Sequence, residues 1–182
     1  MQEMLIYGVS FDLVGKQPIV LLKTAEGNKF LPIWIGHPEA AAILMKLQSQ
    51  PAPRPMTHDL LSDMLEQLGA QVVRITVTEL RENTFYAQIT VAQDGTEIEV
   101  DSRPSDAIAL AIRAEAPIFV ADSVIEESAI EFEGDEVDPD QLEVEVAKFK
   151  HFLDEVTPDQ FAVEDGEDGE EEEGEEGEEE DE

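Results

Sequence analysis

Three stretches of this sequence read as helix starts that open on a proline and carry an acid in the first turn. They are Pro38 with Glu39, Pro55 with Asp59, and Pro104 with Asp106. Two of them are Arg-Pro starts, at Arg54 and Arg103; His58 stands beside Asp59, and Asp101 lies two residues before Arg103. If the three starts converge, Glu39, Arg54, His58, Asp59, Asp101, Arg103 and Asp106 form one polar pocket. Helix N-termini with adjacent arginines attract anions, because free backbone N–H groups and the helix dipole favour negative charge. Clustered carboxylates instead favour a divalent cation such as Mg²⁺ or Mn²⁺, which activates water and steadies a leaving oxygen. Together these features suit a metal-assisted phosphoryl site. In that reading Arg54 and Arg103 hold phosphate, and Glu39, Asp59, Asp101 and Asp106 hold the cation. His58 acts as base, with Asp59, Asp101 and Asp106 as its catalytic companions. The same residues suit a second reading, in which Arg–Asp pairs and a capping histidine fasten helix starts to a sheet without any ligand. Spacing leaves both open.

The element that must position this chemistry runs from Asp101 to Arg113. Ile98 and Val100 alternate with Glu97 and Glu99 as in a strand, and Pro104 holds Arg103 extended while suiting the first helical position. Ala107 to Ile112 is apolar on every side, which predicts a buried helix. Asp106 in its first turn and Arg113 near its last each stand at the favourable end of the helix dipole.

The chain before it predicts three antiparallel strands, over 4–13, 18–23 and 29–35, with a hairpin turn at Ala25-Glu26-Gly27-Asn28. A helix follows over 38–48, with Ala40, Ile43, Leu44 and Leu47 facing the core. A second begins near Arg54, with Leu60, Leu61, Met64, Leu65 and Leu68 at helical spacing and Gly69 as its terminator. Strands over 72–78, 84–92 and 96–101 lead into the buried helix, and Pro117 to Val120 makes a last short strand. The fold class is α+β: a mixed, mainly antiparallel sheet packed with about three helices. Trp34 reads as a core or dimer contact rather than a base-stacking platform. His37 reads as a turn residue.

Residues 121–140 read as acidic and irregular, and 142–156 as a helix with Val146, Phe149, Phe152 and Leu153 on one side. From Glu164 onward only Asp, Glu and Gly occur, a composition that cannot form a core and reads as disordered. This divides the chain into a body at 1–125, an acidic linker and C-terminal helix at 126–161, and a tail at 162–182. The net charge of −33 follows that division: residues 1–120 carry 15 acids and 9 bases, whereas 161–182 carry 15 acids and no base. A mildly acidic body repels nucleic acid at long range, so any such partner needs a local positive site. The absence of cysteine excludes disulfides, thiol catalysis and zinc–thiolate sites. No apolar run approaches membrane-spanning length and no signal-peptide pattern is present, so a cytoplasmic protein is expected.

Three motifs are long and ordered: Leu31-Pro32-Ile33-Trp34-Ile35-Gly36 with Glu39-Ala40, Arg54-Pro55-Met56-Thr57-His58-Asp59-Leu60-Leu61, and Asp101 to Ala111. With them, residues 4–125 resemble the bifunctional nuclease domain family. The resemblance implies an α+β fold, homo-oligomers with a dimer as first expectation, and a nucleic acid substrate, since DNase and RNase activity is attributed to a plant member. It carries over no catalytic constellation. Some members carry a helical motif of repair proteins at the C-terminus, where this chain has its acidic tail. The functional expectation is therefore a nuclease, with a non-catalytic oligomeric binding or regulatory module as its rival.

Overall fold

The computed structural model describes residues 1–11, 17–50 and 52–131. The predicted helix over 142–156 and the acidic tail lie outside them. Three strands open the fold: β1 (Gln2–Phe11), β2 (Pro18–Thr24) and β3 (Lys29–Trp34). Helices α1 (His37–Leu47) and α2 (Thr57–Gln67) follow. A second meander comprises β4 (Ala70–Arg81), β5 (Thr84–Gln93) and β6 (Thr96–Ser102), and helix α3 (Pro104–Ala114) comes next. Strand β7 (Ile118–Val120), helix α4 (Asp122–Ser128) and strand β8 (Ile130–Glu131) complete it. The eight strands form one sheet in the order β6-β5-β4-β7-β1-β2-β3-β8. All neighbours are antiparallel except β4 and β7.

The short strand β7 joins the two meanders. Its Ile118 stands opposite Met4 of β1 and Ile75 of β4, and its Val120 opposite Gln2 and Val77. Three residues with two buried side chains, Ile118 and Val120, are enough, because both neighbours already present an apolar face. The core lies between that face and the helices: Val20, Leu22, Ile33, Ile75, Val77, Ile89 and Val91 pack with Ala40, Ile43 and the run Ala107–Ala111. The buried-helix expectation for α3 holds, with every residue from Ala107 to Ala111 buried. Small alanines in this run let α3 lie close to the sheet and to α1 and α2 on its two flanks.

Three expectations are corrected. Residues 121–140 are not uniformly irregular, since α4 and β8 occupy much of 122–131; Val124 and Ile125 are buried and give the segment an apolar anchor that its acids concealed. On α1 the buried positions are Ala40, Ala42 and Ile43, while Leu47 is 44% exposed. On α2 the leucine face points to solvent: Leu60 is 52% exposed, Met64 52% and Leu68 65%, and only His58 is buried. Helical spacing shows that an apolar face exists, not what covers it. Helix α2 flanks α3 at the margin of the helix layer, so only its His58 and Leu65 edge meets the core.

Candidate functional site

The local sequence builds two of the three helix starts in the same way. Gly36 and Arg103 are the extended residues before α1 and α3, each with proline in the first turn and no side-chain cap of its own. The acids three residues on, Glu39 and Asp106, are thereby free to reach other partners. In α2 the acid does cap: Asp59 accepts the Met56 backbone N–H at 2.9 Å.

Four side chains from all three helix starts form one bonded chain. Arg103 Nη2 donates to Glu39 Oε1 at 2.7 Å, and Arg103 Nε donates to Asp106 Oδ2 at 2.7 Å. The other Asp106 oxygen, Oδ1, lies 3.0 Å from His58 Nε2. The array thus runs Glu39–Arg103–Asp106–His58. The Glu39 carboxylate folds back over the turn into the space that Gly36, lacking a Cβ, leaves open. Burial raises the pKa of Asp106, but hydrogen bonds from Arg103 and His58 outweigh it and hold the carboxyl below its ordinary range. Asp106 is therefore ionised at neutral pH and can only accept, so His58 Nε2 carries the hydrogen in that bond. In the neutral imidazole Nδ1 is then left as the basic nitrogen. Arg103 is raised in turn by its bonds to Asp106 and Glu39. Its side chain is 67% exposed, and the two bonds engage only Nε and Nη2, so the guanidinium keeps an outward edge.

A second constellation was not anticipated. Arg113, read from sequence as a helix-end cation, is only 5% exposed and reaches across to the other helices. Its Nε donates to Asp59 Oδ1 at 2.5 Å, its Nη1 to the Ala109 carbonyl at 2.8 Å and its Nη2 to the Ala42 carbonyl at 3.1 Å. One guanidinium thus ties α1, α2 and α3 together. Burial raises the pKa of Asp59, but the Met56 N–H and Arg113 outweigh it, and the carboxyl lies below its ordinary range. The signal in the sequence was a charged residue closing an otherwise apolar helix, which is costly unless every donor finds a partner.

The seven predicted residues therefore divide. Glu39, His58, Arg103 and Asp106 come together. Asp59 lies beside His58 in the chain but pairs with Arg113. Arg54 lines a separate cavity of about 540 Å³ between the end of α1 and the start of α2, with Lys46, Asp59 and Arg113. Asp101 sits exposed on the edge strand β6 opposite Gln88, outside the array. The expected cation set of Glu39, Asp59, Asp101 and Asp106 does not gather, and among the described residues no three His, Asp or Glu side chains converge to hold a metal. Two of these acids are already in Arg103's grip and a third in Arg113's, so the arrangement does not fit Mg²⁺ or Mn²⁺. A second cavity, of about 360 Å³, opens beside Arg103 of the array, with Ser105, Trp34 and Phe85 also in its lining.

Fold and site thus define an α+β domain whose three helix starts deliver a carboxylate–arginine–carboxylate–imidazole chain with an open cavity beside its Arg103. The bifunctional nuclease domain matches residues 20–133, and the chain belongs to that family. An uncharacterised protein of Mycobacterium tuberculosis is 41% identical over 164 residues, covering 88% of this chain and 98% of its own length. Bifunctional nuclease 1 of Oryza sativa subsp. indica is 31% identical over 105 residues, and bifunctional nuclease 1 of Arabidopsis thaliana 28% over 107. Those matches span 56% and 57% of this chain but only 32% and 33% of the plant proteins. No described helix is long and apolar enough to cross a membrane.

Proposed function

We propose that the chain is a nuclease that hydrolyses phosphodiester bonds at the Glu39–Arg103–Asp106–His58 array. The observation that carries this reading is the bonded sequence of Arg103, Asp106 and His58, which sets an exposed guanidinium edge beside an oriented imidazole. Arg103 meets the negative charge that grows on the non-bridging phosphate oxygens. His58 Nδ1 takes the proton of the attacking water or ribose hydroxyl as the new P–O bond forms, the old P–O bond breaks, and the leaving oxygen departs as a hydroxyl with a proton from solvent. Asp106 holds the imidazole in the required tautomer and steadies the imidazolium, and Glu39 holds Arg103 in place. The names of the plant relatives support the reaction class. Glu39, Asp59 and Asp106, each held by an arginine, lend no support to a bound metal.

The test is cleavage of single- and double-stranded DNA and RNA by highly purified protein, with His58→Ala and Asp106→Ala purified in parallel. Loss of an oriented general base lowers the rate by about 10²–10⁴-fold. Cleavage that persists equally in both folded variants belongs to another site or to a contaminant, and refutes the assignment.

One observation favours a second reading, a non-catalytic binding or regulatory module. Glu39 and Asp106 pair with Arg103, Asp59 pairs with Arg113, and His58 is buried, as expected of a fastening between helices. Folded, pure protein with no turnover on any substrate would favour it. For the assembly we adopt a homodimer in the cytoplasm. The exposed Leu60, Leu61 and Met64 of α2, with Leu68 just past its end, supply an apolar surface of the kind that copies bury against each other.

A further inference from the structure

The sheet has two faces, and the described helices pack on one of them. Ile43 of α1, Leu65 of α2, Leu110 of α3 and Ile125 of α4 all belong to the same core cluster. A second cluster lies on the other face, over the first meander. There Ile19 and Leu21 of β2 are buried among Phe30, Trp34 and Ile130. Tyr7 joins them through an edge-on contact with Phe30, the ring centroids 5.2 Å apart. Leu5 stands opposite Lys23, whose ammonium lies over the same Phe30 ring. Strand alternation sets these residues away from the helices, yet Leu5 and Tyr7 are exposed. Over β4 and β5 the same face carries Arg74, Thr76 and Gln88, polar side chains that need no cover. The apolar half does need one, and no described element supplies it.

The chain itself offers a cover of the right kind. Its described part ends at Glu131 of β8, at the edge of this face, and Ile130 just before it already belongs to the second cluster. Residues 142–156 lie outside the described residues. Their Leu142, Val146, Phe149, Leu153 and Val156 recur at intervals of three and four, with Phe152 beside them, which predicts a helix with one apolar side. Such a helix would be about 22 Å long. The four strands from β8 to β1 lie within about 15 Å of one another. Residues 132–141 reach up to about 33 Å, so the connection is long enough for any position on the patch. We infer that residues 142–156 dock as an amphipathic helix across β1, β2 and β3, with the apolar stripe over Leu5, Tyr7 and Phe30. The sheet is then a middle layer with helices on both sides. The Glu39–Arg103–Asp106–His58 array belongs to helix starts on the opposite face, so the docked segment leaves it uncovered. The inference stands whether or not the chain is a nuclease.

The chain has no cysteine, so introduced pairs report without interference. The full chain carries Lys150→Cys, which flanks the apolar stripe, together with either Leu5→Cys or Leu60→Cys, and is treated with a short bismaleimide. Leu5 and Leu60 are similarly exposed, at 56% and 52%, but lie on opposite sides of the sheet. Cross-linking within one chain through Leu5→Cys, and little through Leu60→Cys, is expected by mass spectrometry. Adding Phe149→Glu and Phe152→Glu puts charge on the apolar stripe and should lower that cross-linking several-fold. Trp34, the single tryptophan, packs in the second cluster, so its emission should shift to longer wavelength in the same variant. No cross-link from Leu5→Cys, equal cross-linking from both positions, or cross-linking indifferent to the two glutamates overturns the docking. Cross-links formed only between chains give the face to a second copy and overturn it as well.

Discussion

Replacing Arg113 with methionine separates two accounts of this residue. As a cation near a helix C-terminus it would contribute about 0.3–1 kcal/mol. As the fastening between three helices it contributes more. Methionine keeps an apolar stem of similar length but loses the bonds to Asp59, Ala42 and Ala109. Removing one partner of a buried ion pair costs roughly 3–5 kcal/mol. The lower end applies, because the Asp59 side chain is 32% exposed and keeps the Met56 N–H. A loss of about 3 kcal/mol at a urea m-value near 2 kcal/mol/M lowers the unfolding midpoint by about 1.5 M. Arg113→Lys should recover less than half of this, since an ammonium cannot present the planar fork that reaches three acceptors. A double-mutant cycle with Asp59→Asn should show a coupling of about 1–2 kcal/mol. A midpoint change under about 0.4 M, or simple additivity in the cycle, would return Arg113 to the role of a helix-end cation.

Acid should weaken the body through the same carboxylates. Asp59 and Asp106 have folded-state pKa values below their ordinary 3.8. The stability they contribute is therefore fully present above about pH 4–5 and is lost as pH falls through the lower folded values. Urea midpoints measured from pH 6 down to pH 2 should fall less steeply for Asp106→Asn than for the parent, and parallel curves would count against the Asp106 pairs. The exposed α2 face should respond to charge. Leu60→Glu with Met64→Glu should convert a dimer to a monomer by light scattering without a loss of helix content, whereas a monomeric parent would remove the dimer.

How much of this was legible beforehand varies from element to element. The α3 start was readable almost completely, because proline fixes the backbone locally and a helix apolar on every side, unlike one with a polar face, turns Ala107 to Ala111 into the core. The strand meanders were readable from alternation and from the turns between them. The acids of 122–131 concealed α4 because charge on one side of a short helix says nothing of the Val124 and Ile125 anchors on the other.

The site was legible as a set of residue types and not as a set of partners. Sequence alone established that three helix starts carry acids, that two follow arginine, and that the body belongs with a known family. Only the tertiary structure decided that Arg103 joins Glu39 to Asp106, that Asp59 is taken by Arg113, and that Asp101 and Arg54 stand apart. The physical reason is the range over which each property is set. Caps, turns and amphipathic faces arise from neighbours within a few residues. Arg113 meets Asp59 across 54 positions and Arg103 meets Glu39 across 64, and those distances close only when α1 and α2 pack on the two flanks of α3.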